Sequence, residues 1–444
     1  MSAKAKHSSL LDVLVDGRAV GRLAKDPNER GSIWFQYDPE WIKSGYALSP
    51  FPPFDLKAGA FKPLSKVFEG LHGVFNDALP DGWGLLLMDR ALKKSLDWDR
   101  HEIEPLDRLA YIGSRAMGAL EFRPAMDRGQ AAPAVSLESL ADSALLVQEG
   151  SADDVLAALY IHGGSPGGAH PKVTVAIERG GDQCISGFGS IPENFDHWIV
   201  KFRARDADPP SMGRIELAYA RMAEAAKVDM PPTRLISTKV RGKREDFFAV
   251  QRFDREGNAK KHVISLGGML EASHRMPSMD YGDLLKATLM ATKDAREVDK
   301  AFRLMVFNVL AHNKDDHVKN FAFVRNERGW TMTKAFDLTF SSGMSGQHTT
   351  SLSGEGLPRL EAIAKVARDM QIKDWHATVS EVFAAVAAWE TFANDQKVPK
   401  SIWSAYRKAM RDGPCFTELA RVPTQSAAAR KASKKQEPDG GLTP

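Results

Sequence analysis

The run His312-Asn-Lys-Asp-Asp-His-Val-Lys-Asn320 decides how this chain is read. Just before it, Phe302, Met305, Val306, Val309 and Leu310 recur at helical spacing. That stripe reads as core packing, so the run behind it is a loop held by a packed helix, the kind of segment that carries function. Downstream lie Phe321-Ala-Phe-Val324, a polar turn from Arg325 to Gly329, and Trp330 to Phe336. Together they predict a hairpin whose second strand runs up to Asp337. Asp315 and Asn320 are thus separated by four residues, with Asp337 one hairpin further on.

That spacing is the one by which protein kinases set a catalytic Asp and a metal-binding Asn on one loop, ahead of a second metal-binding Asp. Phosphoryl transfer needs a carboxylate to orient the attacking hydroxyl and take its proton. It also needs hard oxygen ligands for magnesium between the nucleotide phosphates. D-x-x-x-x-N alone has many chance matches; the hairpin and the second Asp narrow them. Two upstream features point the same way. Lys201 ends the predicted strand at His197-Trp-Ile-Val-Lys-Phe202, where a lysine can pair with phosphates, and Glu216 opens the following helix as a partner carboxylate. Gly163-Gly-Ser-Pro-Gly-Gly168 precedes the strand Val173 to Glu178, and a glycine-rich turn lets backbone N–H groups approach phosphate oxygens, with Lys172 beside it. Each has a plainer reading. Lys201 alone is a solvated strand-end lysine, the glycines an ordinary turn, and Glu216 a dipole partner in a first helical turn. His312, Asp315, Asp316 and His317 alternatively form a metal-hydrolase cluster, and His317 alone reads as a structural hydrogen-bonder. The joint order is what chance rarely produces.

Around this stretch the chain divides by character. Leu11 to Val15 and Ala19 to Leu23 flank an Asp16-Gly17 turn, and Ser32 to Tyr37 alternates like a strand. Leu79-Pro-Asp-Gly-Trp-Gly84 opens a predicted helix reaching about Lys94, and small and polar residues from Met126 to Pro133 mark a boundary. Strands are expected at Thr233 to Lys239 and Asp246 to Arg252, then helices at Tyr281 to Thr292, Glu297 to His312, Pro358 to Met370, Trp375 to Phe392 and Ser401 to Met410. Strands first and helices after is α+β order. The 444 residues are 43% hydrophobic and 26% charged, which excludes wholesale disorder and fibrous repeats. Two distant cysteines, Cys184 and Cys415, exclude a disulfide scaffold and a thiolate zinc site. A net charge of +3, much of it in the polar tail from Val422, makes no case for a dedicated nucleic-acid binder. No apolar run approaches the roughly 18 residues of a membrane span, and Met1 to Ser9 lacks a signal-peptide core, so a cytoplasmic location is the default.

At these residues the chain resembles the HipA family of toxin serine/threonine kinases. The likeness runs through Gly163 to Lys172, Trp198 to Phe202, Val250-Gln-Arg-Phe-Asp-Arg255, Phe307 to Phe323 and Phe336-Asp337. Leu11 to Leu23 and Leu79 to Gly84 resemble that family's extra N-terminal subdomain. The resemblance implies a two-lobed, kinase-like α+β fold. It would have an N-terminal subdomain over 1–125, a β-rich N-lobe over 126–255, an all-helical C-lobe over 256–421, and a disordered tail over 422–444. It further implies ATP and magnesium as cofactors, with Asp315 as catalytic base and Asn320 and Asp337 as metal ligands. Lys201, partnered by Glu216, would meet the nucleotide, and Gly167, Gly168, Ala169, His170, Pro171 and Lys172 would form the phosphate loop. Gln251, Arg252 and Phe253 would meet adenine, His317, Val318, Lys319 and Phe336 would line the site, and Ser165 would be autophosphorylated. Bulky His170-Pro171 and the acidic Asp316 depart from the family pattern, with consequences expected for substrate choice. The implied partners are a small helix-turn-helix antitoxin and a translation component such as a tRNA synthetase, with DNA contacted only through the antitoxin. A small-molecule or lipid-type kinase and a nucleotide-binding corepressor are the competing readings.

Overall fold

A computed structural model describes residues 6–421 apart from 30, 127–135, 150–167, 169, 182, 205–206 and 275–278. Ser165, Gly167, Ala169 and the tail from residue 422 therefore lie outside the described residues.

The chain begins with a five-stranded antiparallel sheet in the order Ala60–Phe61, Ile33–Tyr37, Arg18–Lys25, Leu10–Val15, Leu120–Arg123. Its first hairpin turns at Asp16 and Gly17, both at positive φ (49° and 74°), the twist that suits a two-residue connection. Leu11, Val13, Val20, Leu23 and Phe35 are buried on the inner side, and the helix Pro105–Ile112 packs against the strands Leu10–Val15 and Leu120–Arg123. A second five-stranded antiparallel sheet follows, ordered Cys184–Ser186, Lys172–Glu178, Phe195–Lys201, Lys243–Gln251, Thr233–Val240. The helix Met212–Ala225 lies against it. Its second residue is Gly213, where a Cβ would fall 2.4 Å from the Asp246 carbonyl oxygen. Only glycine lets the helix start so near the strand, and that closeness brings Glu216 within reach of the sheet's end.

The remainder is mostly helical, centred on Ala295–Leu310, which buries Val298, Phe302, Met305, Val306 and Leu310. Asp294 caps it by accepting the Arg296 N–H at 2.9 Å. The helical region departs from an all-helical lobe in one respect: Val263–Ser265, Ala322–Asn326 and Gly329–Met332 form a three-stranded antiparallel sheet. This is the predicted hairpin, extended by one strand. Its last strand stops at Met332, short of the expected Phe336, because Ala335 instead gives its N–H to the Asp229 carbonyl at 2.7 Å. The single helix expected over Trp375 to Phe392 is two, Trp375–Ala387 and Trp389–Asp395. The break sets Trp389 into the core, 4.9 Å from the Tyr219 ring, with its indole N–H on the Trp403 carbonyl. The helix Leu137–Gln148 lies in a stretch for which no element was expected. Among the described residues no helix is long and apolar enough to cross a membrane, and both cysteines are free.

Candidate active site

Two antiparallel strands deliver the basic end of the site. Lys172 and Lys201 are register partners at the end of the pair Lys172–Glu178 and Phe195–Lys201. The Lys201 ammonium lies 2.6 Å from Glu216 Oε1 and 2.5 Å from Asp337 Oδ1. Burial alone pulls the Lys201 pKa down, but the two carboxylates outweigh it and hold the ammonium well above the ordinary lysine range. Asp337 mirrors it: burial pushes its carboxyl up, and Lys201 and Lys172 together bring it far below the carboxylate range. Lys172 is pulled down by burial. Asp337 has φ of +57°, a left-handed conformation that Asp tolerates better than most residues, and the reversal follows directly on Phe336.

The catalytic-type loop starts where Ala295–Leu310 ends. The helix Met212–Ala225 is tied to that point, since the buried Tyr219 hydroxyl donates to the Ala311 carbonyl at 2.8 Å. His312 stacks flat on Phe340 with ring centres 4.8 Å apart, and its Nδ1 pairs with the Ser341 carbonyl at 3.1 Å. Burial, with Lys314 nearby, lowers its pKa to about 4, so it is a neutral structural group. Asp315 faces the cleft and is exposed to its water. The crowding cleft walls push its carboxyl up, His317 pulls it down, and Asp337 and Asp316 push it up again, for a net rise. Asn320 donates its Nδ2 to the Asp315 carbonyl at 2.7 Å, which fixes the amide and leaves Oδ1 as the open oxygen. His317 Nδ1 accepts the Lys319 N–H at 3.3 Å and so caps the short turn Val318–Asn320, the structural task foreseen for it.

Asp316 turns the other way. It is 1% exposed and accepts from the Tyr281 hydroxyl at 2.7 Å, His348 Nδ1 at 2.7 Å, and the Thr349 and Thr350 N–H groups at 2.8 and 3.3 Å. It therefore ties the loop to the segment behind it, and the expectation that it shapes substrate choice is corrected. The metal-hydrolase grouping fails for the same reason, because His312 and Asp316 face away from Asp315. Among the described residues no three His, Cys, Asp or Glu side chains gather closely enough to hold a metal ion.

The stretch Gln251 to Phe253, expected to meet adenine, is more committed than the sequence suggested. Gln251 and Arg252 donate their N–H groups to the carbonyls of Pro232 and His197, at 3.0 and 2.9 Å. The Arg252 guanidinium grips Asp254 with two bonds of 2.9 and 2.7 Å, both residues fully buried. Asp254 also accepts the Gly118 N–H at 2.7 Å, linking this stretch to the N-terminal sheet region. The ring of Phe253 lies 5.5 Å from that of Phe336. Around these groups is a cavity of about 500 Å³, lined by Lys172, Lys201, Glu216, Asp315, Asn320 and Asp337 at one end and by apolar groups including Ile199, Val250 and Phe336 at the other. That volume and mixed lining suit a small-molecule ligand. His170 sits at the edge, exposed and 3.2 Å from Asp208, whose carboxylate raises its pKa.

One residue of the site had no sequence signal. Asp81, from the Leu-Pro-Asp-Gly-Trp-Gly stretch, lines the cavity, accepts the Gly168 N–H and pairs with Lys319 at 3.2 Å. An Asp at a helix start is explained fully by capping, so nothing marked it for a second task.

Residues 164–394 match the family described as HipA-like C-terminal domain, and residues 11–123 match HipA N-terminal domain. The kinase-designated protein Y4mE of Sinorhizobium fredii is 25% identical over 350 residues, spanning 74% of this chain and 76% of that protein. Among solved structures, the Shewanella oneidensis MR-1 toxin–antitoxin complex of HipA, HipB and operator DNA contains a chain that superposes with a TM-score of 0.65. The two are 16% identical, and the match covers 93% of this chain and 100% of the other. That likeness establishes the fold.

Proposed function

This chain belongs to the HipA family of kinases, and from that premise we propose that it is an ATP- and magnesium-dependent serine/threonine protein kinase acting as the toxin of a toxin–antitoxin pair. The observation that carries the reading is the Lys201 ammonium. It bridges Glu216 of the N-lobe helix and Asp337 of the opposite lobe, beside an open Asp315. Lys201 and Lys172 supply positive charge where phosphates would lie. Asp337 and the open Oδ1 of Asn320 are hard oxygen donors of the kind magnesium takes, one charged and one neutral. Such a set needs phosphate oxygens and water to complete an octahedron. When bound, the ion would neutralise charge on the nucleotide phosphates. Asp315 orients the hydroxyl of the acceptor and takes its proton. The rise in its carboxyl pKa makes it a better base than an ordinary aspartate. Phe253 and Phe336 offer apolar faces to adenine. Because Gln251 and Arg252 already use their N–H groups, stacking carries more of that contact than backbone hydrogen bonds do.

The partner in the solved HipA complex is HipB with operator DNA. A small helix-turn-helix antitoxin is the corresponding partner here, with a translation component as substrate and Ser165 as the autophosphorylated residue. Incubation of the purified protein with magnesium and γ-labelled ATP tests the reading. Label on the protein, located at Ser165 by mass spectrometry, supports a self-modifying protein kinase. Label on Ser165→Ala equal to wild type would remove that residue from its role. Nucleotide bound without turnover would replace the kinase by a corepressor, and transfer only to a small-molecule acceptor would replace it by a metabolite or lipid-type kinase.

A further inference from the structure

Asp81 stands at the N-cap of the helix Gly82–Leu96, yet its side chain makes no capping hydrogen bond. An N-cap Asp ordinarily turns its carboxylate back onto the first turn. This one turns outward: it accepts the N–H of Gly168 and pairs with the Lys319 ammonium at 3.2 Å, with His274 Nε2 4.0 Å away. The first turn is served from elsewhere, as the Trp83 N–H donates to the Gly168 carbonyl at 3.2 Å. Gly168 has φ of +102°, and a Cβ there would lie 2.5 Å from Lys172 Nζ and 3.9 Å from Asp337 Oδ2. Its N–H therefore sits at the basic end of the cavity. Asp81 and Lys319 are both largely buried, with side chains 13% and 15% exposed. A carboxylate that takes one loop N–H and one lysine ammonium makes the contacts a phosphate oxygen would make in the same place.

We propose that Asp81 is the resident anion of the phosphate site: in the nucleotide-free protein it occupies the Gly168 N–H and Lys319, and nucleotide phosphate displaces it. The N-terminal domain thereby sets nucleotide affinity, and phosphate entry releases its grip on the glycine loop. This rests on the nucleotide reading given above. Burial pushes the Asp81 carboxyl up, but Lys319, the Gly168 N–H and His274 more than offset that, so the group stays ionised and competes as an anion at neutral pH.

Calorimetric titration of magnesium–ATP into wild type and Asp81→Asn tests it, with melting curves of both proteins with and without nucleotide. Asn keeps the shape and removes the competing charge. The variant should bind ATP about tenfold more tightly, the effect of losing one charge-assisted bond that nucleotide must otherwise break. It should also melt below wild type when ligand-free, and the gap should close at saturating ATP. Equal or weaker binding by the variant, with wild type binding, would overturn the inference alone. Binding by neither would overturn both this inference and the nucleotide reading. Should Asp81→Asn fail to fold, Asp81→Ser, a competent cap too short to reach Gly168, serves with the same expected outcomes.

Discussion

Two regions of the cleft treat their charges in opposite ways. On the floor, Lys201 and Glu216 are nearly buried and Asp337 is half-buried, and each is held by a partner of opposite charge. At the mouth, Asp315 and His170 are exposed, and Asp315 keeps its carboxylate open to the cleft. The difference teaches how a site can be rigid and reactive together. Buried ions must be paired, because a charge left alone away from water is costly. Pairing fixes geometry but consumes the lone pairs that chemistry needs. Asp315, the group proposed to take a proton, therefore stands in water on a loop whose other face is locked. Asp315 and Asp316 are neighbours of identical chemistry that the loop sends to opposite sides.

Variants can break that comparison. The largest effect should come from Lys201→Ala, which leaves Glu216 and Asp337 facing each other without the cation that bridges them. We expect transfer to vanish and stability to fall by about 3–5 kcal/mol, read by urea unfolding; a variant as stable as wild type would mean the floor is wetter than described. Asp316→Ala should come next, since each buried donor left without an acceptor costs about 1–3 kcal/mol. It should lower both the melting temperature and the transfer rate although it touches nothing in the cleft, and loss of transfer at full stability would contradict the anchoring role. Asp337→Ala should mainly flatten the magnesium dependence of ATP affinity, because it removes the charged oxygen donor. ATP binding that still strengthens with magnesium as in wild type would remove Asp337 from metal binding.

The smallest effect belongs to the mouth. Asp208 raises the His170 pKa above its ordinary 6.5, and Asp208 itself stays ionised, since His170 and the Ala204 N–H outweigh the upward push of its burial. A histidine raised on folding adds stability that is complete below its unfolded value and is lost as pH climbs through its folded value. Melting temperature should therefore fall slightly between pH 6 and pH 8 in wild type, and this slope should be shallower in His170→Ala. An identical slope in both proteins would show that the pair contributes nothing.

Much of the floor was legible in the sequence because each part leaves a local mark. Lys201 ends a compact strand, Glu216 lies early in the next helix, and Asp337 follows a hairpin; chain order then suffices to join them. The α+β order and the central amphipathic helix were legible for the same reason. What stayed hidden depended on side-chain direction or on distant packing. Nothing in the loop's sequence says that Asp316 turns inward onto Tyr281 and His348. The Arg252 grip on Asp254, with Gly118 as a third member, joins segments 136 residues apart, as the Gly118 bond records. Trp389 interrupts a helix with good local propensity because a buried place opposite Tyr219 outweighs one more turn. Asp81 was hidden behind a sufficient explanation as a cap.

The central claim is that the open acid of the loop does the chemistry while the paired floor holds the nucleotide. Measuring ATP affinity, melting temperature and γ-phosphoryl transfer on Asp315→Ala beside wild type tests it most directly. The account predicts unchanged folding, ATP binding within about threefold of wild type, and transfer reduced by at least roughly 10²-fold, the lower end of what a general base contributes. A variant that retains most of its transfer, or that loses ATP binding in step with activity, would contradict it.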